Sequence, residues 1–372
     1  MAVIEVLDHT IVYENPRPQN RARHGYFPGL VQLPSGELLA LFILGEALEA
    51  ADVTTMVTRS QDAGRTWNLE GPLIQKGDAD RYNSDYLKPT LLKDGRLMAL
   101  GYNYHRTDPD QTLVNPEPGV DGVRDGDNLV SFSEDDGHTW SHPRVIARTH
   151  PELIEQSGPA IQLRSGVLLG AGSMFPLWDG GNPSGCVGAL WRSEDDGQTW
   201  DDRTHFFEDP AGRYAPAEPR LCEMQDDRIV SLNWMMDHLS GTNVTNHITV
   251  SDDGGATWSE PIDTGVWGQA SNLMHWEDDI LLTIHCHREG EEIGLFVRIV
   301  DLVGNRWRIV EERKIWGNVP SMKVGGYSTM GQNLRFGQAS LLRLDTGDIL
   351  ATHWAIEEGQ GRILTHRLEV QV

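Results

Sequence analysis

The chain has 372 residues, of which 31 are Lys or Arg and 55 are Asp or Glu, giving a formal net charge of −24. That surplus of carboxylates repels phosphate backbones and anionic lipid headgroups, so neither a nucleic acid nor a membrane surface is expected as a partner. No apolar run approaches the roughly 20 residues of a membrane span, and the start MAVIEVLDHT lacks the basic and apolar regions of a leader, so a soluble, cytoplasmic protein is expected.

In chain order, the run Val3–Tyr13 (VIEVLDHTIVY) reads as a strand with no hairpin partner of its own. A strand, tight turn, strand pattern follows six times: LVQLPSGELLALF from Leu30, TLLKDGRLMAL from Thr90, AIQLRSGVLLGA from Ala160, RLCEMQDDRIVSL from Arg220, NLMHWEDDILLTI from Asn272 and SLLRLDTGDILAT from Ser340. The bends fall at Gly36, Gly95, Gly166, Asp227, Asp279 and Gly347, residues that tolerate positive φ. Interleaved with them are SQDAGRTW (Ser60–Trp67), SEDDGHTW (Ser133–Trp140), SEDDGQTW (Ser193–Trp200) and SDDGGATW (Ser251–Trp258). In each of these, Asp and Ser can cap a tight turn and Trp packs inward. The Pro- and Gly-rich insert Asp108–Asn128 reads as a surface loop walling a funnel, which favours attack at chain ends. Cys186, Cys222 and Cys286 lack metal-ligand spacing and read as buried, reduced thiols.

Six repeats, each long enough for four strands, close most simply as an all-β, six-bladed β-propeller of four-stranded antiparallel blades. The expectation is one domain over residues 1–372, latched by Val3–Tyr13 pairing in the last blade with the tail GRILTHRLEVQ (Gly361–Gln371).

Three carboxylates stand where blades two, three and four are expected to begin, and are expected to point toward the axis: Asp85 in NSDYLKP, Glu155 in IEQSGPA and Glu218 in AEPR. Glycoside hydrolysis needs a proton donor and a base or nucleophile, and Glu155 and Glu218 come from adjacent blades. Arg220, two residues beyond Glu218, is expected on the same face and would keep Glu218 ionised. Glu155 follows the apolar pair Leu153–Ile154, so burial would raise its pKa and make it the acid. WGQAS (Trp267–Ser271) and FGQAS (Phe336–Ser340) present Gln269 and Gln338 at equivalent positions, as amides suited to sugar hydroxyls. Trp178, Trp234 and Trp354 are candidates for stacking on a sugar face. A rival reading uses His24, His105, His238, His285, His287 and His353, which sit near strand ends, with Tyr26, Tyr102, Tyr104 and Arg288. Gathered at one mouth, these groups would suit β-elimination from a uronate. No metal or cofactor motif is present, and no cofactor is expected.

Four S-x-D-x-G-x-T-W boxes interleaved with six strand pairs resemble the sialidase superfamily, the BNR-repeat or Asp-box proteins, over nearly the whole chain. The resemblance implies a propeller whose site gathers at the starts of the inner strands, with the Asp-boxes on the far rim. It also implies carbohydrate chemistry, although the superfamily includes exo-arabinanases, rhamnose-releasing enzymes and lyases. Glu218 in AEPRLCE matches the carboxylate that activates the nucleophilic tyrosine of sialidases. Tyr26 in GYFPGL stands where sialidases carry the first clamp arginine, and Gln338 in GQAS stands where they carry that tyrosine. The exo-arabinanase branch uses two glutamates from neighbouring blades, as Glu155 and Glu218 would be. The expected function is therefore exo-acting hydrolysis of terminal sugars from an oligosaccharide or glycoconjugate, with true sialidase activity disfavoured. Uronate lyase and non-catalytic carbohydrate binding are the alternatives.

Overall fold

The computed structural model describes residues 2–317, 319–322 and 334–372. Its strands form six antiparallel sheets around an axis, and blades one and two are each four consecutive strands. Blade one comprises His24–Gln32, Leu38–Gly45, Thr54–Ser60 and Asn68–Pro72; blade two comprises Ser84–Leu91, Leu97–Tyr104, Asn128–Ser133 and Arg144–Ile146. Blade three has its inner strand in two pieces, Ile154–Glu155 and Ile161–Gln162, followed by Leu168–Met174, Val187–Ser193 and Asp201–Glu208. Blade four runs Tyr214–Glu223, Ile229–Asp237, Thr242–Ser251 and Ile262–Asp263, and blade five Asn272–Glu277, Ile280–His287, Gly294–Asp301 and Arg308–Trp316. Blade six takes Phe336–Arg343, Ile349–Glu357 and Gln360–Gln371 from the end of the chain and Val3–Tyr13 from its start.

The first hairpin of each blade turns through a left-handed residue, as the bends require. Gly36, Gly95, Gly166, Asp227 and Gly347 have φ between 70° and 97°. In blade five the left-handed residue is Asp278 (φ 42°) rather than Asp279. The four S-x-D-x-G-x-T-W turns repeat one set of bonds. In the second, Ser133 Oγ accepts from Gly137 N (2.9 Å), Asp135 accepts from Thr139 N and Oγ1 (2.8 and 2.6 Å), and Trp140 Nε1 donates to Gly137 O (3.1 Å). These bonds to Thr139 hold the Asp135 carboxylate down to about 2.

The blades bury their faces against one another, which is why the second strands read as unbroken apolar runs. Every residue of Leu38–Gly45 is buried. Between blades one and two, Leu39 and Leu41 pack in one cluster with Leu87, Leu97 and Ala99. Val3–Tyr13 pairs antiparallel with Gln360–Gln371, from Val3 opposite Gln371 to Tyr13 opposite Ile363, so the two chain ends close the ring as the sequence suggested. All three cysteines are free and buried. The described residues contain no helix long and apolar enough to cross a membrane.

Candidate active site

Three inner strands break register at the same step near the axis. The shift falls between Tyr26 and Gly29, between Ala217 and Arg220, and between Gly337 and Ser340. Within each bulge one non-glycine residue is left-handed: Phe27 (φ 54°), Glu218 (φ 44°) and Gln338 (φ 40°). Such a conformation costs about 1–3 kcal/mol and persists only where its surroundings hold it. Here side-chain donors, buried at Lys88 and Arg220 and partly buried at Asn272, hold the next carbonyl in each case. Lys88 Nζ donates to Phe27 O and Pro28 O, Arg220 Nη1 to Glu218 O (3.0 Å) and Pro219 O (2.9 Å), and Asn272 Nδ2 to Ala339 O (3.1 Å). The bulges re-aim their side chains, and Phe27, Glu218 and Gln338 all line one small cavity of about 80 Å³.

Glu155 lines the same cavity, so the structure brings the two candidate glutamates together. Both are only 7% exposed. Glu155 Oε2 accepts from Ser173 Oγ at 3.0 Å. Burial, reinforced by the Glu218 charge, pushes the Glu155 carboxyl up to about 8, so it holds its proton at neutral pH. Glu218 Oε2 lies 3.8 Å from Arg220 Nη2 and has no hydrogen-bond donor among the described residues. Arg220 Nη1 also reaches Ser157 Oγ (3.0 Å), which ties the split inner strand of blade three to blade four. A Cβ on Gly158 would meet Arg220 Cδ at 2.8 Å, so glycine is what lets that strand pass the guanidinium. One step further along the inner strands, Lys88 and Arg220 line a second cavity, of about 330 Å³, that shares Gln338 with the first.

The rest of the first cavity was only partly foreseen. Tyr102 and Tyr104 line it, with Tyr86 and Phe175 beside them, in a cluster whose ring centroids lie 5.2–5.8 Å apart. The Asp108–Asn128 insert contributes Leu113, Val114 and Val123, the last two joined by an isolated bridge. A third carboxylate, Glu49, was missed altogether. It sits in the loop after the second strand of blade one, and burial raises its pKa.

Several expected site residues do not reach this cavity. Asp85 points to blade one, where Thr54 Oγ1, Thr55 N and Lys76 Nζ bind its carboxylate at 2.8–2.9 Å; strand alternation gives the axis to Tyr86 instead. Gln269 is not equivalent to Gln338, because Ala270 rather than Gln269 is left-handed (φ 62°). Its amide instead bonds Arg288 N (3.2 Å) and Glu289 Oε1 (3.0 Å). Tyr26 packs edge-on against Trp354 in the core, 3% exposed. Trp234 is buried with Nε1 on Asn243 Oδ1 (2.7 Å), and Trp178, 39% exposed, lies under Arg124. Arg288 is fully buried, with Nε on Phe336 O (2.9 Å) and its guanidinium over the Trp234 ring.

The histidines are scattered rather than gathered. His24 accepts from Gly361 N (2.8 Å), and half-exposed His105 pairs with Asp127 (2.7 Å) beside a different pocket. His285 lies between Ser271 and Thr283, and His287 stacks on Phe296 with Arg298 at its Nε2. His353 stacks on His366. Burial holds His285 and His353 well below the usual imidazole range and His287 down to about 4. His105 joins two loop residues and the others serve contacts between strands, and none lines the cavity.

No family model matches the chain. A sialidase from Bacteroides fragilis (strain YCH46) is 24% identical over 249 residues, which cover 63% of this chain and 42% of that protein. The chain thus matches less than half the length of that relative. Among solved structures, a Dyadobacter fermentans protein of unknown function superposes with a TM-score of 0.76 at 18% identity, covering 99% of both chains. A sialidase from Streptococcus pneumoniae gives 0.66 at 13% identity over 97% of this chain and 70% of that one. A Penicillium chrysogenum alpha-L-arabinanase complexed with arabinobiose gives 0.65 at 16% identity over 98% of each. In its sequence pattern and in its fold, this chain is a sialidase-like six-bladed β-propeller protein.

Proposed function

We propose that the chain is an exo-acting glycoside hydrolase in which Glu155 is the general acid and Glu218 the base or nucleophile. The observation that carries this reading is two buried carboxylates on one cavity wall in unlike surroundings. Glu155 keeps its proton because it is desolvated beside a second carboxylate, whereas Glu218 has a guanidinium at 3.8 Å. An acid and a base set apart by their environments are what glycosidic cleavage requires. Glu155 protonates the leaving oxygen, and Glu218 either activates water or attacks the anomeric carbon. Gln338, whose carbonyl oxygen has no partner among the described residues, stands ready to accept from a sugar hydroxyl.

The wall that Leu113, Val114 and Val123 of the Asp108–Asn128 insert give the cavity supports removal of terminal residues over internal cleavage. Similarity to proteins named as sialidases and to an arabinanase complexed with arabinobiose supports a carbohydrate substrate. Three free, buried thiols suit a reducing, cytoplasmic setting.

The test is a product screen against terminal glycans and uronate oligosaccharides, read by mass and ultraviolet absorbance. A saturated reducing sugar, lost in Glu155→Gln and Glu218→Gln, is the expected result. An unsaturated product would replace hydrolysis by elimination.

A further inference from the structure

We infer that the cavity takes an uncharged sugar residue and buries an apolar edge of it, so that 6-deoxy or hydroxymethyl sugars fit and sugars bearing a carboxylate are excluded. The inference rests on this cavity being the substrate site of the proposed hydrolase. Among the described residues, its charged lining is all of one sign: Glu49, Glu155 and Glu218. Against these three carboxylates stands the Arg220 guanidinium, 3.8 Å from Glu218 Oε2 and also holding backbone carbonyls. Lys88 faces the second cavity and holds backbone carbonyls, and Arg106 is buried on Glu49 O (2.7 Å) and Ser84 Oγ. The burial and the Glu218 charge that keep Glu155 protonated would act equally on a carboxylate brought in by a ligand.

Three atoms of the lining are buried without partners among the described residues. Gln338 Oε1 and Glu218 Oε2, on side chains 3% and 7% exposed, can only accept, and the Tyr86 hydroxyl can donate or accept. Sugar hydroxyls donate to such atoms; an ionised carboxylate has nothing to donate. In the same lining, Phe175, Leu113, Val114 and Val123 form an apolar wall with only carbon at their side-chain ends. A hydroxyl buried against that wall goes unpaired, whereas a methyl group does not.

The experiment uses matched methyl glycosides in which C6 is methyl, hydroxymethyl or carboxylate, across gluco, galacto and manno configurations, in both anomers and both enantiomers. Binding to the whole chain is measured by calorimetry at pH 7, and turnover is followed separately. Within the configuration that binds, the carboxylate member is expected at least about 30-fold weaker than its hydroxymethyl partner. The methyl member is expected to bind about 10-fold or more tighter than the hydroxymethyl one. Glu49→Gln, which removes one negative charge from the wall, should narrow the carboxylate gap by about 3–10-fold. Equal or tighter binding of the carboxylate, a gap indifferent to Glu49→Gln, or no binding by any member overturns the inference. Binding in the expected order without turnover would sustain it while removing the hydrolase reading.

Discussion

Glu155 links chemistry to stability through one proton. Its carboxyl titrates near 8 in the folded chain against 4.5 for an unburied one. Between those values the unfolded chain has released a proton that the folded chain retains. Stability from this group is therefore fully present below about pH 4.5 and declines as pH rises toward 8. Glu155→Gln, neutral at every pH, should match the wild type in urea unfolding at pH 4.5 and exceed it by about 1–3 kcal/mol at pH 8. Turnover by the wild type should fall as pH climbs through about 8, because the acid form is the working one. A flat rate profile across that range would take the acid role from Glu155. Glu155 was legible because it stands at an inner-strand entry after the apolar pair Leu153–Ile154, and Glu218, which lies within Tyr214–Glu223 rather than at its start, because Arg220 follows it by two residues. Asp85 and Gln269 were misread for one reason: a shift of a single residue in a strand turns a side chain from the axis to a neighbouring blade, and sequence spacing does not resolve a single residue.

At the scale of elements, turns and bulges differed in how much of themselves the sequence shows. The S-x-D-x-G-x-T-W turns carry their whole hydrogen-bond set within eight residues, so the motif names the structure. Ser133 shows the cost of breaking one. Its Oγ accepts from Gly137 N and donates to Asp135 Oδ1 (2.9 Å), and it is 2% exposed. Ser133→Ala leaves a buried N–H unpaired and should lower urea stability by about 1–3 kcal/mol without changing substrate preference. The bulges at Phe27 and Gln338 have no such local signature, because Lys88 and Asn272 hold them by contacts that only the folded ring creates, whereas Arg220 holds the Glu218 bulge from within the same strand. Glu49 was invisible for a related reason, since a loop residue faces the axis only once its blade is placed. The Asp108–Asn128 insert was legible as a loop and as a funnel wall. Shortening it between Leu113 and Val123 to a Gly-Ser link should raise KM for terminal-sugar substrates about 10-fold or more. It should also admit internal linkages, seen as longer oligosaccharide products from a polymer. Unchanged products would mean that the wall does not govern access.

For the whole molecule the decisive element is the pairing of the two chain ends. Val3–Tyr13 is the fourth strand of blade six, reached only after the other five blades lie between it and its partner. It also ties to blade one, through Thr10 Oγ1 on Gly64 O (2.9 Å) and Tyr13 against Phe42, with ring centroids 5.1 Å apart. Ile4, Val12 and Tyr13 are buried, and burial of such side chains is worth about 1.5–3 kcal/mol each. Their sum rivals the whole net stability of a typical domain, about 5–15 kcal/mol. Removing residues 2–13 should therefore open the ring, broaden and lower the thermal transition by more than 10 °C, and expose the edge of Gln360–Gln371 to association with other copies. A synthetic peptide of residues 2–13 added in trans should restore a sharp transition, because the vacated edge offers the same backbone ladder to any copy of that strand. The cavity should report the same event: its walls come from blades one to four and blade six, so turnover should vanish on truncation and return with the peptide at the concentration that restores the melt. A truncated chain that melts and turns over as the full one does would show that the blades hold their places without closure, and the cavity would then owe its shape to neighbouring pairs of blades alone.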